Sequence, residues 1–499
     1  MKRMIARIIM LLPGIVMQIL WYLFVFTLFN ESKAYMDVIL KTIALFLSIY
    51  VAMSKGKLNY KIIWVILIML FPFLGTWLYL TCGNKKTVKP LLKRIKKARS
   101  DIKFNEITGS LVASELRDES LKYYNILNSV SEQSGFPIKY LEDVKYYPLG
   151  EDMYKDMLKE LKKAEEFIYI EYFIIANGTF LDNFLDIIRK KIKEGVDVRI
   201  LYDDIGSIFT FNGSDIRKLK KYGIKCHAFN KNMFITGTIN NRDHRKMLII
   251  DNKVAFSGGI NLADEYINTI NRFGHWKDIG FKITGAPVAN YTYMFVEFWN
   301  AFSKDKISVR RIIPSRNIKK RGYILSYYDS PANDESISSN LYVDMLSSAK
   351  RYAYFYTPYL ILDENLESAL KRAALRGVDV KIIMPGIPDK KMIFRLSKSY
   401  YGNLIDAGVK IYEYKPGFVH AKMCVIDDEI CTVGTVNLDY RSLFLHFENN
   451  SIFFRSHIIR DVKNDFEITL RKCKRVTKPK YRFINKIIDS TLRLIAPLC

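Results

Sequence analysis

The sequence predicts an α/β protein in which N-terminal transmembrane helices precede two copies of one α/β domain, packed together as a pseudo-dimer. The first observation is a motif, His-x-Lys-x4-Asp followed by Gly-x-x-Asn, that occurs twice with the same internal spacing. The second is a set of three apolar runs within residues 1–83. The residues of the two motif copies are His244, Lys246, Asp251, Gly258 and Asn261, and His420, Lys422, Asp427, Gly434 and Asn437.

The three apolar runs predict two or three membrane-spanning helices in residues 1–83. The run 8–29 is uncharged and has no small-x-small cleavage site after it, so we expect an uncleaved anchor rather than a signal peptide. The run 38–53 is shorter and contains Lys41. The run 62–82 is strongly apolar and ends in aromatic residues, and the proline inside it is tolerable in a membrane helix.

Basic residues around these runs predict the orientation of the chain. Residues 85–99 hold eight basic residues and no acidic one, which by the positive-inside rule places the domains that follow in the cytoplasm. The basic N-terminus favours the same side, and both conditions are met if two runs span the membrane and the run 38–53 lies in its interface or re-enters it. With three spanning helices one cluster would be outside, and we expect the larger cluster inside. Residues 84–134 are therefore predicted to be a basic juxtamembrane linker that binds anionic headgroups.

Composition narrows the class of partner. The 499-residue chain carries a net charge of +26, which indicates an anionic partner, either nucleic acid or an anionic lipid surface. Charge alone does not choose between the two, but the membrane runs favour lipid. The six cysteines form no Cys-x-x-Cys pair and no Cys/His cluster with zinc spacing, so no metal site is predicted. The nearest candidate, the pair Asp203-Asp204, follows a strand and is expected to be structural.

Beyond residue 134 the pattern alternates between strands and helices, and it does so twice. The aromatic and β-branched segment 167–175 predicts a strand and corresponds to the segment 352–361. The segment 195–200 recurs almost letter for letter at 377–382. These matches extend the duplication well beyond the motifs.

The duplication defines two predicted domains. The basic stretch 303–321 has little pattern and is the expected boundary, so the first domain covers residues 135–312 and the second covers residues 322–499. Alternating strands and helices imply a largely parallel sheet covered by helices. The segment 483–495 has apolar residues at helical spacing, and it either lies on the membrane surface or packs on the second domain.

The motif residues suit attack on a phosphodiester. An apolar run at each motif predicts a buried strand, and alternation along a strand sends His244 and Lys246 to one face. A neutral imidazole can attack phosphorus, and a second, protonated imidazole can give its proton to the leaving alkoxide. The two lysines, with Asn261 and Asn437, can hold the non-bridging oxygens where negative charge develops. Each copy alone is incomplete, so the site requires the two copies to face each other.

The paired motif resembles that of the phospholipase D superfamily, and the likeness covers nearly the whole chain. Five further segments are similar to the bacterial cardiolipin synthases of that superfamily: 71–79, 258–266, 274–278, 357–359 and 435–442. The resemblance implies two phospholipase D-like domains and a multi-pass phosphatidyltransferase of the cell membrane. In such an enzyme a phosphatidyl group moves from one phosphatidylglycerol to the hydroxyl of another, and glycerol is released. It also implies phosphatidylglycerol and anionic membrane lipids as partners, no nucleic acid, and no metal or organic cofactor.

The resemblance further implies roles for the motif residues. His244 is the nucleophile that forms a phosphohistidine, and His420 is the general acid. Asp251 and Asp427 complete the catalytic motifs and are obvious candidates to fix the tautomer of the histidines. Their offset along the strand turns them away from the lysines, and the resemblance implies that they mainly brace the fold around the site.

Supporting residues follow from the same resemblance. Two later acids, Asp278 and Glu448, are implied to orient the histidines, and Gly258 and Gly434 are expected to support the site from behind. The aromatic strands 169–173 and 352–359 are predicted to line an apolar entry for acyl chains. The remaining histidines lack the motif and are predicted to be structural or exposed; they are His227, His275, His446 and His457.

Other functions remain open at this point. A membrane phospholipase D, or another phosphatidyltransferase, would use water or a different alcohol as acceptor. A membrane-tethered nuclease would use the positive charge for nucleic acid, although the basic excess clusters beside the membrane runs. A non-enzymatic scaffold is disfavoured by two intact motifs. The acceptor preference and the oligomeric state do not follow from the sequence.

Overall fold

The computed structural model describes residues 12–23, 31–54, 58–83, 88–102, 107–230, 240–308, 320–331, 333, 335–478 and 483–498. Within these residues the strands are β1 (Lys139–Tyr140), β2 (Asp143–Tyr147), β3 (Phe167–Tyr172), β4 (Asp197–Asp203), β5 (Lys225–Phe229), β6 (Lys246–Ile250), β7 (Val254–Gly258), β8 (His275–Lys277), β9 (Gly280–Thr284), β10 (Tyr323–Asp329), β11 (Tyr352–Tyr356), β12 (Asp379–Pro385), β13 (Lys410–Tyr414), β14 (Gly417–Val419), β15 (Met423–Ile426), β16 (Ile430–Gly434), β17 (Glu448–Phe454) and β18 (Cys473–Arg475).

The α-helices of the described residues fall into an N-terminal group, a connecting group and the helices of the two domains. They are Leu12–Leu23, Glu31–Met53, Leu58–Leu70, Pro72–Leu78, Lys89–Asp101, Ile107–Glu119, Leu121–Ser134, Gly150–Leu161, Thr179–Lys193, Gly213–Lys221, Val288–Phe302, Ile337–Ser348, Glu364–Leu375, Lys391–Ser399, Tyr401–Asp406, Tyr440–Phe444, Ile458–Leu470 and Phe483–Ile495.

Two large sheets form the interior of the molecule. The first has the strand order β2-β9-β7-β6-β3-β4-β5, and the second has the order β1-β10-β17-β16-β15-β11-β12-β13-β18. From β10 to β13 the second order repeats the first strand for strand, with β1 and β18 added at the edges. The duplicated α/β architecture predicted from the sequence is therefore confirmed.

The prediction of largely parallel sheets was wrong. Within the two large sheets, β3, β4 and β5 pair in parallel, as do β11, β12 and β13, whereas the other strands pair antiparallel. The cause is visible between β6 and β7, where residues 251–253 form the whole connection and Asp251 and Asn252 both have φ of 52°. So short a turn reverses the chain, because a parallel connection needs a crossover of a dozen or more residues.

The two domains share an apolar interior, as a pseudo-dimer requires. The ring centroids of Phe281 on β9 and Phe453 on β17 lie 5.2 Å apart across the boundary. Tyr291 and Ser451, from the first and second domain, are hydrogen-bonded through their hydroxyl groups at 2.8 Å. One contiguous cluster of buried residues includes side chains of both domains. Packing of the two halves against each other therefore sets the relative position of the two motifs.

The stretch 84–134, predicted to be a linker, is helical where it is described. Helix Lys89–Asp101 buries its apolar side and packs against helix Val288–Phe302 of the first domain. Helix Leu121–Ser134 packs against helix Ile337–Ser348 of the second domain. The stretch thus connects the N-terminal helices to both domains, and the basic side of Lys89–Asp101 is exposed.

One described helix is long and apolar enough to cross a membrane, and it comes from the middle apolar run. Glu31–Met53 contains the apolar stretch Tyr35–Met53. Lys41, the residue that interrupts the run, is paired with Asp37 one turn earlier at 2.6 Å. The strongest spanning candidate by length is therefore the run that does not span the membrane in the predicted two-span arrangement.

The third apolar run, 62–82, does not form one helix. Helix Leu58–Leu70 stops before Phe71, whose φ of −131° and ψ of 76° are not helical, and a new helix starts at Pro72. Proline lacks the amide hydrogen that would continue the helix, so a break here is expected physically. Gly75 in the second piece lies against the backbone of Leu67, where a side chain would not fit. The two pieces therefore fold back on each other.

The first apolar run, 8–29, is described only over helix Leu12–Leu23; the rest of the prediction for this run lies outside the described residues. This helix contacts the start of helix Pro72–Leu78, where the Oε1 atom of Gln18 accepts hydrogen bonds from the amides of Phe73 and Leu74, at 3.2 and 3.3 Å. These are amides that the break at Phe71 leaves without a helical partner. The polar side chain of Gln18 thus accepts hydrogen bonds from the backbone amides that the helix break exposes. Inside a membrane such amides need a partner in the protein, because no water is available there.

The C-terminal amphipathic segment packs on the second domain. On helix Phe483–Ile495, Asp489 is paired with Arg395 at 3.2 Å, and Arg493 is paired with Glu367 at 2.6 Å. The same helix also contacts Leu58–Leu70. It therefore joins the second domain to the N-terminal helices, as expected from the second of the two alternatives left open by the sequence.

Candidate active site

The two motif histidines lie at the boundary between the domains, and each is held by backbone bonds to the opposite domain. Strand β14, which leads into His420, runs parallel to β8 of the first domain, and the amide of His420 donates to the carbonyl of Lys277 at 2.8 Å. The amide of His244 donates to the carbonyl of Phe447 in the second domain at 2.9 Å. The pseudo-symmetry of the two domains therefore also relates the backbone hydrogen bonds that hold the two histidines.

The acids that bind the histidines are exchanged between the domains. Nδ1 of His244 lies 2.8 Å from Oε2 of Glu448, and Nδ1 of His420 lies 2.6 Å from Oδ2 of Asp278. Both acids are fully buried. The two acids implied by the resemblance are therefore placed against the imidazoles, but each histidine takes its acid from the other half of the chain.

The motif lysines are buried beside the histidines that precede them. Nζ of Lys246 donates to the carbonyl of His244 at 2.7 Å, and Nζ of Lys422 lies 2.8 Å from Nδ1 of His420. Burial lowers the pKa of Lys246 to about 8 and that of Lys422 to about 7, although carboxylates of both domains oppose the shift. Removal from water therefore makes both lysine side chains easier to deprotonate.

The surroundings of the two motif histidines favour the neutral form of both rings. Burial, then Lys246, lowers the pKa of His244 well below its usual value, and Lys422 and His420 of the other motif act in the same direction. Burial, then Lys422, lowers the pKa of His420 to about 4, although Asp278 opposes this. Charges of each motif act on the histidine of the other, which supports the shared site expected from the sequence.

The two acids differ in their own ionisation. Burial raises the pKa of Glu448 well above its usual value, and Lys246 offsets this only in part. Burial also acts to raise the pKa of Asp278, but His420 and Lys422 outweigh it and leave that pKa below its usual value. The two histidines therefore sit beside carboxyl groups of unequal charge.

Asp251 and Asp427 lie away from the histidines. The carboxylate of Asp251 accepts three backbone N–H bonds at 2.8 Å, from Glu165, Glu166 and Phe167 at the start of β3. Asp427 accepts the equivalent three bonds, from residues 350–352 at the start of β11. At about 3.3 Å per residue, each carboxylate is roughly 15 Å along its strand from the motif lysine. Their place in the predicted catalytic set is corrected by this geometry, which supports the bracing role.

The two asparagines expected to bind phosphate have different surroundings. Asn261 accepts a bond from the amide of Ile174 at 3.0 Å and donates to the hydroxyl of Tyr266 at 2.7 Å, so that one of its two amide hydrogens remains. Asn437 is buried, and its side chain binds Asp439. Its Oδ1 atom has no partner among the described residues.

The glycines of the motifs let the acid-bearing strands approach closely. A side chain on Gly258 would meet the backbone at Ile279, and one on Gly434 would meet the backbone at Asn449. At the next position the two copies differ, because Gly259 leaves room for the Asp278 carboxylate, whereas the hydroxyl of Thr435 donates to Oε2 of Glu448 at 2.5 Å. The supporting role expected for these glycines is consistent with the contacts.

The aromatic strands are mostly buried in the interior. Tyr169 stacks on Phe295 with centroids 4.6 Å apart, and Tyr354 stacks on Phe466 at 4.7 Å. Phe173, by contrast, packs edge-on against His244 at 4.8 Å. The prediction that these strands line an acyl-chain entry is wrong for Tyr169 and Tyr354, because the pleat turns them into the core.

Sequence reasoning missed His446. It is buried, its ring centroid is 5.5 Å from that of His244, and its Nδ1 atom is 3.6 Å from Oε1 of Glu448. Its counterpart in the first domain is Trp276, whose ring is 5.7 Å from that of His420. The available signal was position, because each of these residues stands two places before an orienting acid.

Within the described residues, His244, His446 and Glu448 form the group of ligand-type side chains that could hold a metal ion. The sequence had predicted no metal site and had named Asp203-Asp204 as the nearest candidate. The carboxylate of Asp203 instead accepts backbone N–H bonds from Gly206 and Asp243, at 2.9 and 3.0 Å, so its role is structural as expected.

The family model described as "Cardiolipin synthase, PLD-like domain" matches residues 157–284 and 342–470. Each of these stretches contains one motif copy and the acid that binds the histidine of the other copy. The model described as "Phospholipase_D-nuclease N-terminal" matches residues 42–84, which lie within the N-terminal helices.

Whole-chain relatives agree with these matches. The cardiolipin synthase of Alkalihalophilus pseudofirmus is 32% identical over 477 residues, covering 93% of this chain and 93% of that protein. A Streptococcus mutans serotype c protein described as uncharacterized is 43% identical over 455 residues, covering 90% of this chain and 99% of that protein. The crystal structure of phosphatidylserine synthase from Haemophilus influenzae Rd KW20 covers 75% of this chain and 100% of that one, with a TM-score of 0.57 and 13% identity, which is a likeness of fold.

Proposed function

The chain belongs to the cardiolipin synthase family of the phospholipase D superfamily and is a phosphatidyltransferase, and we propose that it transfers a phosphatidyl group between two phosphatidylglycerol molecules, giving cardiolipin and glycerol. The observation that carries the proposal is the crossed pair of imidazole–carboxylate contacts, His244 with Glu448 and His420 with Asp278. Because each acid binds Nδ1, the Nε2 atom of each ring is left for the phosphodiester.

In the first half-reaction His244 is the nucleophile. Its Nε2 atom attacks phosphorus, and the bond from phosphorus to the glycerol oxygen breaks. His420 gives a proton to that oxygen, so that glycerol leaves and a phosphatidyl group remains on His244. The low pKa of His244 keeps it neutral, while the anionic phosphate and the ionised Asp278 together favour a proton on His420 once substrate is bound.

In the second half-reaction the proton is transferred in the opposite direction. His420, now neutral, takes the proton from a glycerol hydroxyl of a second phosphatidylglycerol. The resulting oxygen attacks phosphorus, the bond from phosphorus to His244 breaks, and cardiolipin is formed. Lys246 and Lys422 hold the non-bridging oxygens in both steps, and the free amide hydrogens of Asn261 and Asn437 assist them.

The location of this chemistry is proposed from the N-terminal region. The exposed basic side of helix Lys89–Asp101 suits anionic headgroups, and the long apolar helix Glu31–Met53 suits a membrane anchor. We place the enzyme in the cell membrane with several spans and with its two catalytic domains in the cytoplasm. Docking at the bilayer raises the local concentration of the second phosphatidylglycerol and keeps bulk water from the phosphohistidine.

The reaction is tested with the purified chain in bilayers of phosphatidylglycerol alone. We expect cardiolipin and free glycerol in equal amounts, with phosphatidic acid as a minor product. Added glycerol should drive the reaction backward, because the two phosphodiesters have similar free energies. Phosphatidic acid as the main product would identify a hydrolase and refute the synthase proposal.

The residue roles are tested by substitution and by trapping. His244→Ala and His420→Ala should each abolish turnover, and Lys246→Ala and Lys422→Ala should each lose about 10²-fold or more. A phosphatidyl adduct should map to His244 after acid-free quenching. An adduct on His420 would reverse the two roles, and full activity of either histidine variant would refute the shared site.

A further inference from the structure

His446 is a buried histidine beside the catalytic pair, and the mechanism above gives it no task. Only 9% of its surface is exposed, and neither ring nitrogen has a hydrogen-bond partner within the described residues. The Oε1 atom of Glu448 is likewise without a partner there. Buried polar atoms are seldom left unpaired, because the loss of hydration is then uncompensated. The Nδ1 atom of His446 and the Oε1 atom of Glu448 face each other at 3.6 Å, too far for a direct hydrogen bond, which suggests an occupant between them.

The Glu448 carboxylate lies between the two histidines. Its Oε2 atom is 2.8 Å from Nδ1 of His244, and its Oε1 atom is 3.6 Å from Nδ1 of His446. One ligand atom from each of these three residues lies within 4.8 Å of the other two. In a tetrahedral zinc site with bonds of about 2.0–2.1 Å, ligand atoms are roughly 3.3 Å apart. A closure of these separations from 4.8 Å by about 1.5 Å would therefore complete the geometry.

The donor set is of the kind that zinc prefers. Two imidazoles and one carboxylate, with a fourth position left for water, are a common set for Zn²⁺ and other late divalent transition metals. The other half of the molecule does not offer it, because Trp276 occupies the place of His446 next to His420. Such a site would therefore act on one histidine of the pair and leave the other unligated.

We propose that His244, His446 and Glu448 bind a zinc-class divalent cation, and that the bound cation inhibits the enzyme. The inhibitory half of this proposal rests on the proposed function, in which Nε2 of His244 is the nucleophile. A cation on Nδ1 of His244 replaces the hydrogen bond to Glu448, so the single proton of the neutral ring must sit on Nε2. A protonated Nε2 has no lone pair for phosphorus, and transfer stops until the metal leaves.

The surroundings predict a reversible site rather than a permanent one. Lys246 and Arg242 are nearby cations that oppose a metal ion, whereas Glu448 and Asp243 are nearby acids that attract it. A structural zinc site is usually closed by four protein ligands, and this one offers three. We therefore expect binding that chelators reverse, with activity retained or raised after chelation.

Binding is tested on the full-length chain, stripped with a chelator and kept in a lipid-free neutral detergent so that lipids do not bind the metal. Wild type is compared with His446→Asn, in which the amide can still donate to Glu448. His457→Asn is the matched control, since His457 is exposed and its Nε2 atom contacts the Val144 carbonyl. Equilibrium dialysis measures bound Zn²⁺, and Co²⁺ replaces it for visible absorption spectroscopy.

We expect one Zn²⁺ per chain, with a tetrahedral Co²⁺ spectrum, in wild type and His457→Asn. His446→Asn should bind at least about ten-fold more weakly, since loss of even an outer partner of a metal ligand costs 10- to 100-fold. In phosphatidylglycerol bilayers, Zn²⁺ should inhibit wild type and His457→Asn alike, and inhibition of His446→Asn should need at least about ten times more metal.

Equal binding by all three proteins, or no binding to wild type, would overturn the site. Binding that depends on His446 without inhibition would overturn the inhibitory role. The binding experiment requires no turnover, so it decides the site even if none of the proteins makes cardiolipin, a result that would refute the proposed function alone.

Discussion

The two motif histidines have different neighbouring side chains. Asp278 is short, has space beside Gly259, and keeps its charge; Glu448 is longer, is bonded by Thr435, and holds its proton more tightly. An ionised carboxylate stabilises an imidazolium, whereas a neutral one does not. The proton donor of the proposed reaction is therefore best placed beside Asp278.

This difference predicts unequal costs for neutralising the two acids. Asp278→Asn should lower kcat by about 10³-fold, because the amide neither stabilises a charged His420 nor fixes its tautomer. Glu448→Gln should lower it less, by about 10- to 100-fold, because this position already tends to be neutral. Steady-state rates in phosphatidylglycerol bilayers measure both. If Glu448→Gln were the more damaging variant, His244 would be the histidine that needs charge, and the assigned roles would be exchanged.

The lysines predict the pH dependence. Burial lowers the pKa of Lys422 to about 7 and that of Lys246 to about 8, and only the protonated form attracts a phosphate. As pH rises through these values the free enzyme loses its cations, so the fall of kcat/KM with pH should steepen above neutrality by about a further ten-fold per pH unit. The pKa of His244 lies well below its usual value, so the nucleophile stays neutral into mildly acidic solution.

A pH–rate profile of kcat/KM measures this. The decline should be weaker in kcat, because bound phosphate raises the pKa of the lysines in the complex. A kcat/KM that still rises about two pH units above neutrality would exclude protonated lysines as the phosphate-binding groups.

Among the elements, the β6–β7 and β15–β16 hairpins are anchored by the motif aspartates. Asp251→Asn loses the charge that three backbone amides share and puts an N–H group against one of them. We expect a loss of about 1–3 kcal/mol in the free energy of unfolding and little change in the turnover of the folded fraction. Asp427→Asn should behave alike.

Thermal unfolding followed by circular dichroism, together with the specific activity of the folded protein, checks this. Asp186→Asn, a substitution at an exposed acid, is the control and should be neutral. An Asp251→Asn enzyme that is as stable as wild type but inactive would restore Asp251 to the catalytic machinery.

The sequence predicts features that depend on residues close together in the chain better than features that depend on distant residues. His244 and Lys246 share a strand face, so their spacing alone predicts that they act together. The pairing of His244 with Glu448 joins residues of two domains, and no local pattern encodes it. The position of His446 beside His244 and Glu448 depends on the same long-range contact. The sequence alone therefore predicts only a structural or exposed histidine there.

The membrane helices show the same limit at the scale of elements. Hydropathy locates apolar runs, but it does not tell a spanning helix from one that folds back on itself. The break at Pro72 is stabilised by Gln18, a contact between two separate runs. In the sheets, alternation of strands and helices suggested parallel pairing, and the tight turn at Asp251 decided otherwise.

At the scale of the whole molecule, the main test is on which side of the membrane the basic region lies. A cysteine placed at Lys97, on the exposed side of helix Lys89–Asp101, should not react with an impermeant thiol reagent in intact cells. The native cysteines are replaced by alanine for this measurement. The same cysteine should react after permeabilisation, which shows that it is accessible. Labelling in intact cells would place the catalytic domains outside and require an odd number of spans from a cytoplasmic N-terminus.

The exchange of acids also bears on how such a chain could arise. One half alone carries a histidine whose acid lies in the other half, so a lone ancestral domain would have been competent only when two identical copies met. Identical copies would have had identical histidines, with neither committed to attack or to proton transfer. A single chain that carries both copies is free of that identity, and here each histidine has its own neighbours: Trp276 and Asp278 around His420, and His446 and Glu448 around His244. Joining the two copies in one chain is what permits unequal surroundings for the two imidazoles.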